Sequence, residues 1–176
     1  MLQNLCSEQD ALLCLWHEQC SFFRFPAQQD FGLPQLQRWL PHLAFITLRP
    51  TRAKRLLVQR SGLRVDAAHG TAAAGRFWED LVPGKARDEA LRPFYLSLFS
   101  GRPVCAQSSA GTFANTDRAK DVLILPCRST DSGRNVGMFV AAVYHSPSAG
   151  MSDDGATQAL AYDTPNLSQA TLHAVF

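Results

Sequence analysis

No apolar run in this chain is longer than the seven residues from Met138 to Tyr144, far short of the roughly 18 that a membrane-spanning helix requires. No transmembrane helix is expected. Early positive charge is missing too: the first Lys or Arg is Arg24, beyond the apolar segment Ala11 to Trp16, whereas a secretory signal carries its positive charge ahead of its apolar core. A cytoplasmic location is the expectation. Cysteine is sparse, and Cys6, Cys14, Cys20, Cys105 and Cys127 are odd in number with no CxxC pair. That pattern suits neither a disulfide framework nor a zinc site, so reduced thiols are expected. His69 and His145 stand alone, and His17-Glu18 is the one histidine beside a carboxylate; no second ligand accompanies any of them, so no metal or haem is expected and no cofactor can be named. Charge is scarce as well, at 18% of residues with a net +2 against about 25% charged in typical soluble proteins. Disordered and strongly basic classes are thereby set aside.

What the 176 residues do hold is apolar material, 46% of the chain with eleven Phe and three Trp, enough for the core of one domain. Ser7 followed by Glu8 and Asp10 reads as a helix start. Leu12, Leu15, Trp16, Cys20 and Phe23 then recur at three- and four-residue spacing until Pro26, giving an amphipathic N-terminal helix within residues 1–25. Its stripe must be buried against its own domain or against a second copy, and those five residues are the candidate homodimer contact. Pro26, Gly32, Pro34 and Pro41 mark a connector with a short helix from Pro34 to Leu40. Strands are expected at Leu43 to Leu48, Lys54 to Arg60, Pro103 to Ser108, Asp121 to Arg128 and Val136 to His145, with short helices between Leu63 and Gly75 and a longer helix from Lys85 to Ser100 that Pro93 interrupts or kinks. Residues 146–176 have three acids and no Lys or Arg, and read as a flexible or partly helical tail with a short helix near Leu167 to Val175.

Strand, strand, helices, then three strands indicate an α+β fold with an antiparallel sheet. Several segments then resemble, in order and spacing, the small proteobacterial single-domain PAS family: Asp30-Phe31, Trp39-Leu40-Pro41-His42-Leu43, Leu56 to Gly62, Gly75-Arg76-Phe77, Gly101-Arg102-Pro103-Val104, Ile124-Leu125-Pro126 and Asp131-Ser132-Gly133-Arg134. The Gly32-Leu33-Pro34 after Asp30-Phe31 departs from that family's second Asp before Pro. The resemblance spans about residues 10–145. It implies a PAS-like five-stranded antiparallel sheet with helices on one face and an extra N-terminal helix, the PAS-like domain occupying residues 26–145. It also implies a ligand position between the long helix and the sheet, lined by Phe94, Tyr95 and Leu98 and closed by Phe77 and Trp78. The same aromatics read equally as plain core.

Between Phe31 and Val65 there are seven basic residues and no acid. Without a recognition helix or an aromatic RNA-binding strand this stretch argues for no nucleic-acid partner; a solvated surface, or docking of an acidic protein through Arg49 to Arg64, suits it better. Three functions are compatible with these readings. The first is a non-catalytic sensory or regulatory module that binds a small ligand or a protein partner and acts through dimerisation. The second is a small enzyme using a pocket acid, base or thiol such as Cys105. The third is a ligand-free scaffolding module.

Overall fold

Val122, Leu123, Ile124 and Leu125 are consecutive, and all four are buried. Because successive side chains of a strand point to opposite faces, such a run demands cover on both sides. The computed structural model describes residues 7–20, 25–49, 56–82, 84, 87–108, 120–128, 137–145 and 159–161, and there the demand is met by two separate layers.

Two antiparallel pairs form the frame, β1 (Leu43–Leu48) with β2 (Leu56–Ser61) and β3 (Val104–Ser108) with β4 (Lys120–Arg128). Strand β5 (Gly137–His145) lies between β1 and β4 and joins them. A short β6 (Ala159–Ala161) adds to the outer edge of β3, giving the order β2-β1-β5-β4-β3-β6.

On one face Ala44, Ile46, Leu56, Val58, Val122 and Ile124 meet Val65 and Ala68 of α3 (Leu63–His69), Trp78 and Leu81 of α4 (Trp78–Leu81), and Leu91 and Phe94 of α5 (Arg87–Ser100). Gly70, at φ 67°, ends α3 in the left-handed conformation that glycine adopts without steric penalty. Pro93 is accommodated inside α5 and is buried.

On the other face Leu43, Phe45, Leu123, Leu125 and Cys127 meet Leu12, Leu13 and Trp16 of α1 (Ser7–Gln19), with Phe31, Leu36 and Trp39 of the connector. The connector contains the four-residue helix α2 (Leu33–Leu36) and single 3-10 turns at Gln28–Asp30 and Leu40–His42. Two hydrogen bonds fix α1 on β4: Gln9 Nε2 donates to Asp121 O at 3.2 Å, and Trp16 Nε1 to Pro126 O at 2.9 Å. The Pro126 carbonyl is available because Pro126 lies beyond the register of β3, which ends opposite Ile124. At that same edge the Arg128 N–H donates to Pro26 O at 2.9 Å.

The expected five-stranded PAS-like sheet with its helices on one face is therefore corrected on two counts. The sheet has six strands, three residues of the supposed tail forming β6 on β3. Helices also cover both faces, because β4 is apolar on both and α1 is needed on the second. The coarser mixture of helices with antiparallel strands stands. The loop at Asp131 to Gly133 and the helix near Leu167 to Val175 lie outside the described residues.

The candidate dimer stripe is also placed. Leu12 and Trp16, at 1% and 0% exposure, are enclosed by the chain's own sheet, and Leu15 and Cys20 pack partly against the same cluster. Leu12 and Trp16 are thus taken up by the chain's own core, as the apolar demand of β4 requires. Phe23 lies outside the described residues.

Two variants test this packing. Leu12→Ala removes a fully buried side chain and should cost about 2–5 kcal/mol in chemical denaturation. Thr47 is 4% exposed and its Oγ1 finds no hydrogen-bond partner among the described residues, so Thr47→Val should raise stability by roughly 1 kcal/mol; a loss would show that the hydroxyl is satisfied.

Candidate functional site

The five residues expected to line a ligand pocket belong to the α3–α5 face. Trp78 and Phe94, each 2% exposed, lie inside the core, their rings 5.2 Å apart at 52°. His69 meets the Trp78 ring edge-on at 5.0 Å, and its Nδ1 lies 3.3 Å from Leu81 O. Tyr95 and Leu98 pack on the cluster's margin, Tyr95 stacking on the half-exposed Phe99 at 6.4 Å. Phe77 is half-buried and bridges to Leu57 of β2. The structure thus brings Trp78 and Phe94 together in mutual packing, with Tyr95 and Leu98 at the edge.

A concave site occurs on the opposite face, where the connector crosses the sheet. Leu43, Phe45, Phe31 and Leu36 lie beneath it and are almost fully covered, Leu40, Pro41 and the exposed Leu63 give it apolar surface, and Gln28, Gln29, Gln37 and Arg60 its polar rim, the open concavity measuring about 760 Å³. Small-molecule sites commonly measure roughly 300–1,000 Å³ and combine apolar walls with a few polar groups. Why a cleft forms here is a matter of backbone economy. Prolines at 26, 34 and 41 prevent a continuous helix, and a chain of short turns covers an apolar strand less completely than a helix does.

Those turns are firmly anchored. Arg128 gathers the start of the connector: its Nε donates to Phe25 O at 2.6 Å and its Nη2 lies 3.7 Å from Asp30 Oδ2. The same Asp30 oxygen accepts the Ala27 N–H at 2.6 Å. Farther along, Trp39 Nε1 donates to Glu8 O at 3.0 Å, and the Arg38 guanidinium lies 3.9 Å over the Trp39 ring while facing Glu8 at 3.8 Å. At the far wall Gly62 donates its N–H to Leu43 O at 2.9 Å. A Cβ at Gly62 would overlap Leu40 O and the Pro41 carbonyl, so only glycine permits this approach of the β2–α3 junction to the connector.

The bulge in β2 aims the charged residue of this site. Register shifts between the pairs Phe45↔Arg60 and Ile46↔Val58, leaving Gln59 as an extra residue on β2. Leu56 and Val58 point into the α3–α5 core; strict alternation would turn residue 60 the same way, and the bulge instead sets Arg60 beside Phe45 on the cleft side. Among the described residues no hydrogen bond or ion pair engages the Arg60 guanidinium.

Ser61 Oγ donates to Asp66 Oδ1 at 2.6 Å and accepts the Ala74 N–H at 3.1 Å, while the same Asp66 oxygen takes the Ala73 N–H at 2.9 Å. That arrangement fixes a turn and places no imidazole on the serine. Among the described residues no group of three or more His, Cys, Asp or Glu is arranged to hold a metal ion, and no helix is long and apolar enough to cross a membrane. Of the basic stretch, Arg49, Arg60 and Arg64 are exposed, whereas Arg52, Lys54 and Arg55 lie outside the described residues. Residue-type motifs did not locate the cleft; the available signal was the proline-rich connector preceding a strand that is apolar at every position from Leu43 to Ile46.

Below the second core face lie two thiols. Burial pushes Cys20 up to about 11 from 9.0, and burial, helped by the nearby Cys20, pushes Cys127 up further. Groups whose pKa is raised by folding stabilise the fold below the unfolded thiol's pKa and lose that contribution as pH rises. Thermal stability should therefore fall between about pH 9 and 11, and Cys20→Ala with Cys127→Ala should lessen that fall relative to the parent protein. Equal alkaline slopes in melting temperature would contradict the assignment.

No protein-family model matches the chain, and no curated protein matches it.

Proposed function

We propose that this chain is a non-catalytic regulatory module that takes up a small organic ligand in the connector cleft and relays occupancy to a protein partner or a second copy. One observation carries the reading: an anchored, roughly 760 Å³ concavity with apolar surface and a polar rim, within the range of natural ligand sites. The sensory class comes from the sequence resemblance to single-domain PAS proteins, and the site geometry supports the ligand-binding part of it. An enzymatic reading finds less support, because among the described residues neither histidine nor cysteine lines the cleft and Ser61 is committed to Asp66. Cytoplasmic residence belongs to the same proposal and is supported by Cys14, Cys20, Cys105 and Cys127 being thiols, none joined in a disulfide.

Output must pass through exposed surface. With Leu12 and Trp16 enclosed, the large apolar side chains left in solvent among the described residues are Leu63, 80% exposed on the cleft rim, and Phe99, 46% exposed on α5. Leu63 is flanked by the exposed Arg60 and Arg64, which suits an acidic partner surface.

The experiment is a thermal-denaturation screen of small organic metabolites against the parent protein and Gln37→Trp. Gln37 is exposed on the cleft wall, so the larger ring should obstruct the cleft without entering the core. A ligand at a hundred times its Kd stabilises a fold by about 2.7 kcal/mol. Hits should raise the melting temperature of the parent by several degrees and leave Gln37→Trp unmoved. Hits that stabilise both proteins equally would place binding elsewhere and refute the reading.

A further inference from the structure

We infer that the connector cleft selects organic anions, specifically an apolar body resting on Leu40, Pro41 and Leu63 with a carboxylate at Arg60. This deepens the proposal above and rests on the cleft being a ligand site.

Charge pairing around the cleft carries the inference. Among the described residues, Arg128, Arg38 and Arg60 border the connector. Arg128 is paired with Asp30, and Arg38 with Glu8 and the Trp39 ring. Arg60 is the remaining one, and it is the sole charged residue in the lining. The nearest acid in the connector, Asp30, is already held by Arg128 and the Ala27 N–H. A guanidinium presented to a concave surface whose described lining holds no carboxylate favours a planar anion that can accept two of its N–H groups. The glutamine amides at 28 and 37 lie on the same lining and provide neutral donors and acceptors to orient the rest of the molecule.

The backbone supports the same conclusion independently. Arg60 reaches the cleft because Gln59 is a bulge residue, and bulges recur where a strand must re-aim one side chain. Without the bulge the alternation set by Leu56 and Val58 would drive a guanidinium into the α3–α5 core. A strand irregularity that turns a lone cation toward a cavity is better explained by an anion to be bound there than by packing.

The test uses the full chain and three matched probes: naphthalene carboxylate, naphthalenemethanol and naphthylmethylamine, titrated by calorimetry. The carboxylate should bind about fivefold more tightly than the alcohol, a ratio typical of a solvent-accessible charged hydrogen bond, and the amine should bind most weakly. In Arg60→Gln the carboxylate should fall to the alcohol's affinity while the alcohol's stays the same. Circular-dichroism melting of Arg60→Gln should match the parent, since the residue is exposed. Equal affinities of carboxylate and alcohol in the parent, both lost in Gln37→Trp, would overturn the anion selectivity and leave the ligand site standing. Binding of none of the probes, or binding unaffected by Gln37→Trp, would remove the site itself. If an acidic peptide binds through Arg60 while the naphthalene carboxylate does not, the occupant is a protein segment and the small-anion inference fails.

Discussion

Everything in this fold answers to the apolar character of β4 on both faces. Val122 and Ile124 on one side, with Leu123, Leu125 and Cys127 on the other, cannot be left in contact with water on either. Burial of such side chains contributes on the order of 1.5–3 kcal/mol each, far more than a surface contact. The helices α3, α4 and α5 satisfy one face. The other requires material from the segment that precedes β1, which is why α1 is part of the domain. Its Trp16 and Gln9 do not simply fill space; their donors take the Pro126 and Asp121 carbonyls, so burial of the Trp16 indole N–H and the Gln9 Nε2 is offset by hydrogen bonds.

The second face is covered unevenly, and that unevenness produces the site. Over β4 the cover is a thirteen-residue helix; over the β1–β2 end it is a proline-punctuated series of turns. Turns bring their own backbone groups, which must be paired. The Ala27 N–H to Asp30 and the Gly32 N–H to Gln35 Oε1 at 3.1 Å are the local solutions, and the Trp39 indole N–H ties the connector to the Glu8 carbonyl of α1. These pairings hold the turns at a distance from the strand instead of letting them collapse on it. An anchored series of turns beside the β2–α3 junction leaves an open concavity between them.

The sequence showed the strands well because their signal is local. Leu43 to Leu48 is a short apolar run closed by Arg49 and Pro50, and Val104 and Ala106 follow the turn residues Gly101 and Pro103; α1 and α5 were visible for the corresponding reason, a three- and four-residue apolar spacing. What was not visible depends on partners distant in sequence. The N-terminal stripe carries no mark distinguishing a homodimer contact from a core face; the choice is made by the demand of β4, more than a hundred residues away, as the Trp16–Pro126 bond illustrates. Ala159–Ala161 gave no strand signal because a three-residue edge strand is defined by its neighbour. The bulge at Gln59 was equally hidden, since alternation alone would send Arg60 to the wrong face. The aromatic residues Trp78 and Phe94 were seen, and the structure packs them against each other in the core cluster.

The cleft and the aromatic core are also mechanically continuous. Ser61 lines the cleft and donates to Asp66 of α3, and Asp66 in turn holds Ala73, a fully buried member of the opposite core cluster. Val65 and Ala68, on the same short helix, pack in that cluster, and His69 contacts Trp78 there. Gly62 joins β2 to α3 with no room for a Cβ, so a displacement of the cleft wall has little slack to absorb it. Packed interiors are nearly incompressible, and a shift at Ser61 must either lengthen its 2.6 Å bond to Asp66 or carry α3 with it. One connection between the two faces of the sheet therefore runs around its β2 edge, through Gly62 and the Ser61–Asp66 bond. That places the exposed Leu63, the first residue of α3, where movement of the cleft wall would reach the surface first.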